Sequence, residues 1–333
     1  MGKHKRDAEK IIAHIEYIKK QPWLTKSQGW WPDYLFHFTD LANAVKILSE
    51  GMLLCRSQLE EAGALATDIA SPEIIASTAS KWKDYVRLYF RPRTPMQYRN
   101  EGFRPVNQRE LGGAHCPVPI VFLFDAKEVL TDQATLFSDG NLAAGAQVRD
   151  TAAFFLSLPF EKIYHDASLW GLSEGDKRNV IFHRHAEVVI PQSLNLASLK
   201  FICCRSQAEF ETFFHLLPGR VRQKWGKKIS IGQRALLFYA YWSFVEKADL
   251  STSAISFTFN PSRTPGPFHA KLEIREVNTD NVYVWERGDF YAREPQVFDL
   301  SNMTRPEDYV VKFWLDGYLA YQNRFLDESE LPF

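Results

Sequence analysis

The residues that could do chemistry fall in four stretches. HAEVVIP, residues 185–191, holds Glu187 in an apolar run that reads as a strand closed by Pro191. A carboxylate fixed on a rigid strand beside core residues is costly unless it faces a cleft, where it can act as a general base. The plainer reading is a strand-edge glutamate in water. LFHFT, residues 35–39, puts His37 on an apolar strand, as a satisfied core histidine or as a hydrogen-bonding group in a site. YVRLYFRPRTPMQYR, residues 85–99, runs from strand alternation into a proline-stiffened loop carrying Arg87, Arg91, Arg93 and Arg99. Guanidinium forks suit phosphate, so Arg91 and Arg93 would meet phosphate groups; otherwise the loop is solvated and salt-bridged. The polar loop 167–185 offers Trp170, Lys177, Arg178, His183, Arg184 and His185. Rings against exposed bases with cations along the backbone are how single-stranded nucleic acid is held. An ordinary polar loop is the alternative.

These residues need elements to position them. Residues 6–20 carry isoleucines at helical spacing, and 21–32 form an aromatic-rich connection. YLFHF at 34–38 is a strand. Thr39 or Asp40 caps the following helix, which Gly51 ends, and MLLCRS is a further short strand. Residues 57–83 are weakly patterned, with helical turns expected. YVRLYF and PIVFLF (119–124) read as strands, and 138–147 is turn-rich around Asp-Gly-Asn. TAAFFLSL (151–158) fits either type. LKFICCRS (199–206) is a strand and QAEFETFFHLL (207–217) a helix. LPGR at 217–220 marks a boundary, followed by the basic RVRQKWGKK. GQRALLFYAYWSFVEKA (232–248) reads as an aromatic-rich helix. AISFTFN, HAKLEIREV and NVYVWERG then alternate as strands, with VNTDN as the turn between the last two. DYVVKFWLDGYLAYQNRF (308–325) fits strand, helix or one of each.

The chain has 333 residues, enough for two domains, and 45% hydrophobic residues, enough for a packed core. Forty basic residues balance 40 acidic ones, so polyanion binding must come from a local patch. Four cysteines without a CxxC spacing read as reduced thiols in a cytoplasmic protein, and their spacing does not suit zinc. No apolar run has the length of a membrane span, and the charged opening MGKHKRDAEK lacks a signal-peptide pattern. GxxxxGK[ST] and HExxH are missing and there is no GxSxG with partners, which disfavours a metal or nucleotide hydrolase.

Four blocks, YLFHFTDLANAVKILSEGMLL, DYVRLYFRPRTPMQY, LFSDGNLAAGAQ and HRHAEVVIP, carry a family resemblance. In this order, over residues 34 to about 217, they resemble the DarT family of bacterial toxins. These are ADP-ribosyltransferases that use NAD to modify nucleic-acid bases. The resemblance implies Glu187 as the catalytic glutamate, positioning a ribose hydroxyl and accepting a proton from the target. It implies that His37 and Thr39 bind NAD. Tyr89 and Tyr98 would offer ring faces to the nicotinamide or close the pocket, or serve as core. The family often has a supporting basic residue in the region between the first helix and the Tyr-Val strand. Lys81 and Lys83 are the catalytic candidates there, with Arg56 a weaker one on the cofactor side. Arg91, Arg93, Trp170, Lys177, Arg178 and Arg184 would contact nucleic acid.

The implied fold is α+β: a split, mostly antiparallel β-core with surrounding helices over 34–217. Residues 1–33 precede it. A β-rich accessory domain, with a sandwich as the candidate arrangement, follows over 218–333. The implied function is NAD-dependent modification of a base in single-stranded DNA, in a toxin–antitoxin or phage-defence system with a macrodomain-type antitoxin. The same chemistry on RNA is an alternative, as is a protein target. So is a catalytically silent binding module acting through the C-terminal half.

Overall fold

The computed structural model describes residues 4–63, 79–110, 114–232 and 236–327. Its largest element is an eight-stranded sheet. The strands are β1 (Tyr34–Asp40), β3 (Tyr85–Tyr89), β4 (Pro119–Asp125), β5 (Leu136–Ser138), β6 (Val148–Arg149), β7 (Glu187–Pro191), β9 (Leu199–Cys204) and β10 (Ile229–Ile231). The spatial order is β10-β9-β4-β1-β3-β7-β5-β6, and every pair except β10–β9 is antiparallel. A short pair, β2 (Met52–Leu54) and β8 (Ser193–Asn195), flanks it.

The sheet is split in the middle. β1 pairs with β4 along seven residues, and β3 with β7 along five. Between these halves β1 and β3 share one register pair, Phe36↔Tyr89. Beyond it no further register pair joins them, and His37 Nδ1 reaches across to the Arg87 carbonyl.

Helices cover the halves. Ala8–Ile18 buries Ile11, Ile15 and Ile18, the expected stripe. Asp40 caps Leu41–Glu50 by accepting from the Ala42 N–H at 3.0 Å, and Gly51, at φ 76°, ends it in the left-handed region. β4 is buried along six of its seven residues, as suits a central strand covered on both faces. The four cysteines are buried and free.

The C-terminal region is β-rich, as expected. Its strands are β11 (Val245–Leu250), β12 (Ala254–Phe259), β13 (Phe268–Glu276), β14 (Val282–Phe290), β15 (Gln296–Asp299), β16 (Asp308–Leu315) and β17 (Tyr318–Leu326). They form sheets ordered β11-β12-β15 and β14-β13-β16-β17. Phe257 stacks on Phe313 at 4.9 Å and Trp285 meets Phe298 at 5.0 Å, so the sheets pack face to face as a sandwich.

Four local expectations are corrected. Residues 236–244 are not helical: Ala240 has φ 56°, and the N–H groups of Tyr239 and Ala240 donate to Glu101 at 3.0 and 2.8 Å. Tertiary capture of these N–H groups overrides helix periodicity. The TPMQY segment is a helix, Pro95–Asn100, with Pro95 at the tolerated first position and Thr94 capping Gln97. Most of the 167–185 loop is a helix, Glu174–Arg184, capped by Ser173. The sheet takes its last strand, β10, from beyond residue 217. Part of the weakly patterned 57–83 stretch, residues 64–78, lies outside the described residues. Around it are the helix Arg56–Glu61 and the 3-10 turn Ser80–Asp84.

Candidate active site

Glu187 opens β7 opposite Tyr89, at the end of β3 where the sheet splits. Its side chain is 3% exposed. Burial lifts its carboxyl to about 7, against the opposing effects of the Arg87 guanidinium and the Leu142 backbone N–H. Arg87 Nε stands 3.7 Å from Glu187 Oε2, too far for a hydrogen bond, and Oε2 accepts none. A buried carboxylate oxygen without a partner, poised near neutrality, is an acceptor waiting for a hydroxyl or a proton.

The turn-rich block 138–142 fixes this carboxylate. Ser138 Oγ accepts from the Glu187 N–H at 2.7 Å and donates to the Gly140 carbonyl at 2.8 Å. The Asn141 N–H donates to Phe182 O at 3.1 Å, and His183 Nδ1 bonds to Asp139 O. Gly140 is required here, because a Cβ would lie 2.2 Å from the Phe182 ring. The turn thus locks the helix Glu174–Arg184 beside the start of β7.

His37 is half-buried on β1, and its Nδ1 donates to the Arg87 carbonyl at 3.2 Å. Burial holds its pKa below the ordinary value despite that bond. In the neutral ring Nε2 is left as an acceptor. Thr39, two residues on, is buried on the same strand. The Tyr89 hydroxyl is pushed upward by burial and then by Glu187, so it stays protonated as a donor.

Beyond Tyr89 the chain enters an arginine cluster. Arg91 is 1% exposed; its Nε donates to Pro92 O at 3.0 Å and its other nitrogens meet His165 O and Asp166. Burial pulls it down to about 10. Arg93 shares Asp166. Arg184 Nη2 donates to His165 Nδ1 at 2.6 Å and Ala167 O at 2.7 Å. One carboxylate, Asp166, therefore serves two guanidiniums, those of Arg91 and Arg93, and Arg93 Nε and Arg184 Nε are buried without hydrogen-bond partners. This is an anion-seeking surface next to Glu187.

The sequence model of the DarT family, described as ssDNA thymidine ADP-ribosyltransferase, matches residues 36–235. The chain belongs to the DarT family. Among solved structures it is similar to Thermus sp. 2.9 DarT in complex with ADP-ribosylated ssDNA, at 19% identity and TM-score 0.47, covering 62% of this chain and 97% of that one. The same Thermus protein in complex with NAD+ gives 19% identity and TM-score 0.45, covering 62% and 98%. Thermosipho africanus DarTG in complex with ADP-ribose gives 14% and 0.42, covering 66% of this chain and 53% of that one. No curated protein matches.

In this DarT chain the residues expected from sequence divide. Glu187 and Tyr89 face each other at the split and His37 bonds across it to the Arg87 carbonyl, while Thr39 is buried further along β1. Lys81 and Lys83 precede Tyr85, at the opposite end of β3 from Tyr89, and a five-residue strand spans about 13 Å between its end residues. Lys83 pairs with Glu60 at 3.5 Å, and Lys81 lies over the Trp82 ring. The cation facing the Glu187 carboxylate is Arg87, at 3.7 Å. Arg56 pairs with the same Glu60 at 3.2 Å. Arg91, expected to meet cofactor or nucleic-acid phosphate, is turned inward onto Pro92 O, His165 O and Asp166. Tyr98 is 40% exposed on the helix Pro95–Asn100. Trp170 is 93% exposed, Arg178 is exposed on the helix Glu174–Arg184, and Lys177 pairs with Glu174 at 2.7 Å. Sequence reading missed Arg87 and Ser138 as site residues. The signal for Arg87 was its place two residues before Tyr89, on the face that strand alternation makes common to both.

Proposed function

We propose that this chain transfers ADP-ribose from NAD to a thymine base in single-stranded DNA. The observation that carries this is Glu187: buried, near-neutral, with one free carboxylate oxygen at the split of the sheet. The donor reacts by breaking the bond between its ribose C1′ and nicotinamide, through an oxocarbenium-like transition state. Glu187 would hold a ribose hydroxyl, and His37 Nε2 and Thr39 would bind the cofactor within the split. Thymine in a nucleoside has one N–H, the imide. A new bond from that nitrogen to C1′ releases its proton to Glu187, and nicotinamide leaves with the bonding electron pair. Arg87 tempers the carboxylate so that it is ionised near neutral pH. The uncompensated nitrogens of Arg93 and Arg184 suit pyrophosphate or DNA phosphate. Trp170, Lys177 and Arg178, on and beside the helix that Gly140 locks to the site, suit an extruded base and its backbone.

Family membership also supports a toxin role, in a toxin–antitoxin or phage-defence setting in the cytoplasm, with a macrodomain-type antitoxin that removes the modification. In this reading the transferase unit takes in residues before 34 and runs through β10, and the sandwich is an accessory domain. The test is mass spectrometry of mixed-sequence DNA and RNA oligonucleotides after incubation with NAD. An ADP-ribose adduct on thymine in single-stranded DNA, lost in Glu187→Ala, is expected. No adduct on any thymine-containing DNA, with a folded protein, would sink the reading.

A further inference from the structure

The β-sandwich adds residues to one end of the site. Its lead-in, residues 236–244, runs along the helix Pro95–Asn100 instead of away from it. The Phe103 N–H donates to Ser243 O at 2.8 Å, and Gly102, at φ 82°, admits the segment where a Cβ would meet the Trp242 Cβ at 2.9 Å. Glu101, 1% exposed, accepts from the N–H groups of Tyr239 and Ala240. Tyr239 OH donates to the Arg93 carbonyl at 2.6 Å, and the Arg93 guanidinium lies 5.5 Å from the Tyr239 ring centre.

The result is a group of rings continuous with the arginine cluster. Tyr98 meets Tyr239 at 5.2 Å and Tyr241 at 5.8 Å, edge to face, and Tyr239 and Tyr241 are 5.6 Å apart. Arg263, exposed on the sandwich, lies 3.7 Å from the Tyr241 ring centre. The backbone is left-handed at Arg93 and Ala240, with φ 54° and 56°, the kind of strain that functional surfaces retain. Interdomain adhesion does not rest on these rings alone. Glu101 and the Phe103–Ser243 bridge supply adhesion, whereas Tyr98 is 40% exposed and Arg263 faces solvent.

We propose that Tyr98, Tyr239 and Tyr241, with Arg93 and Arg263, form a stacking platform for single-stranded DNA next to the modified nucleotide. Rings spaced along a strip of cations are what a single strand needs, because every base has a stacking face and every linkage a phosphate. The platform rests on the transferase reading above and extends its DNA path onto residues past the family match, which ends at 235.

The experiment uses the full chain and a fluorescent single-stranded oligonucleotide of about 12 nucleotides, within the ~4–16 that such grooves cover. Tyr241→Ala should raise Kd about tenfold, and Tyr17→Ala, an exposed tyrosine on the first helix, should not. Arg263→Ala should flatten the plot of log affinity against log salt by about 0.7, one phosphate contact, which a merely structural arginine would not do. Photocrosslinking of wild type should label a peptide containing residues 239–241. If wild type forms the adduct and binds DNA, yet both variants keep its Kd and salt slope and no crosslink reaches 239–241, the platform is overturned while the transferase stands. If wild type forms no adduct and binds no DNA, the transferase reading fails first and takes the platform with it.

Discussion

Arg87 Nε lies 3.7 Å from Glu187 Oε2 across the β3–β7 pairing, near enough to temper the buried carboxylate and too far to occupy it. Burial sets the midpoint of Glu187 at about 7. A general base must be ionised. We therefore expect kcat/KM for NAD to rise about tenfold per pH unit below the midpoint and to level off above it. A pH–rate profile on a thymine oligonucleotide checks this; a rate flat from pH 5.5 to 8 would remove Glu187 as base.

Arg87→Ala removes the cation that opposes burial. The carboxyl should then titrate higher, moving the rise of the same profile to more alkaline pH by about one unit, an energy of about 1.4 kcal/mol. Arg87→Lys should restore much of the original midpoint. A rate lowered equally at every pH would mean that Arg87 acts by holding substrate and not through Glu187.

The raised carboxyl also costs stability. In the folded state Glu187 titrates near 7, whereas a free glutamate does so near 4.5. Below the lower value both states are protonated and the cost vanishes. As pH rises through this window the unfolded chain ionises first, so stability falls until about pH 7 and is flat above. Glu187→Gln should therefore be more stable than wild type at pH 8, by on the order of 3 kcal/mol, and equal to it near pH 4. Calorimetric Tm values at the two pH values decide this.

Ser138→Ala leaves the buried Glu187 N–H without its 2.7 Å acceptor. Such a loss costs about 1–3 kcal/mol. Ser138 is a positioning residue, so the variant should lower both Tm and kcat and shift the pH–rate midpoint. A change in Tm alone would confine Ser138 to the fold.

Glu101→Ala should be the most destabilising single change at the junction with the sandwich. It strips acceptors from Tyr239, Ala240 and Gln97 and an ion-pair partner, at 3.3 Å, from Arg205, which is 1% exposed. Breaking a buried pair costs about 3–5 kcal/mol. Limited proteolysis should show new cleavage within 236–244. Unchanged cleavage would show that the segment is held by its buried Leu237 and Phe238 instead.

The parts of the site that were legible are local patterns. β7 with Glu187, β1 with His37, and the Asp40 cap each follow from alternation or one capping residue. The helix Glu174–Arg184 escaped because only Val180 is buried along it, leaving no apolar stripe to count. Its Ser173-x-x-Asp176 cap was the available signal. Arg87 escaped because its role depends on which strand lies beside β3, a register set by the whole sheet. Residues 236–244 misled for the opposite reason. Their apolar spacing suits a helix, but Glu101, more than 130 positions earlier, captures their N–H groups.

β10 is three residues long, yet it occupies the outer edge of β9. It reaches that edge only because the chain, having completed the helix Gly219–Trp225, turns back before entering the sandwich. A protein cut at residue 217 would bare β9 as an unpaired edge, with Phe201 already 44% exposed on it. Such edges recruit other chains. The two halves of this molecule are therefore not interchangeable cassettes: the passage from one to the other also gives the first a very short edge strand, which offers little backbone to pair with.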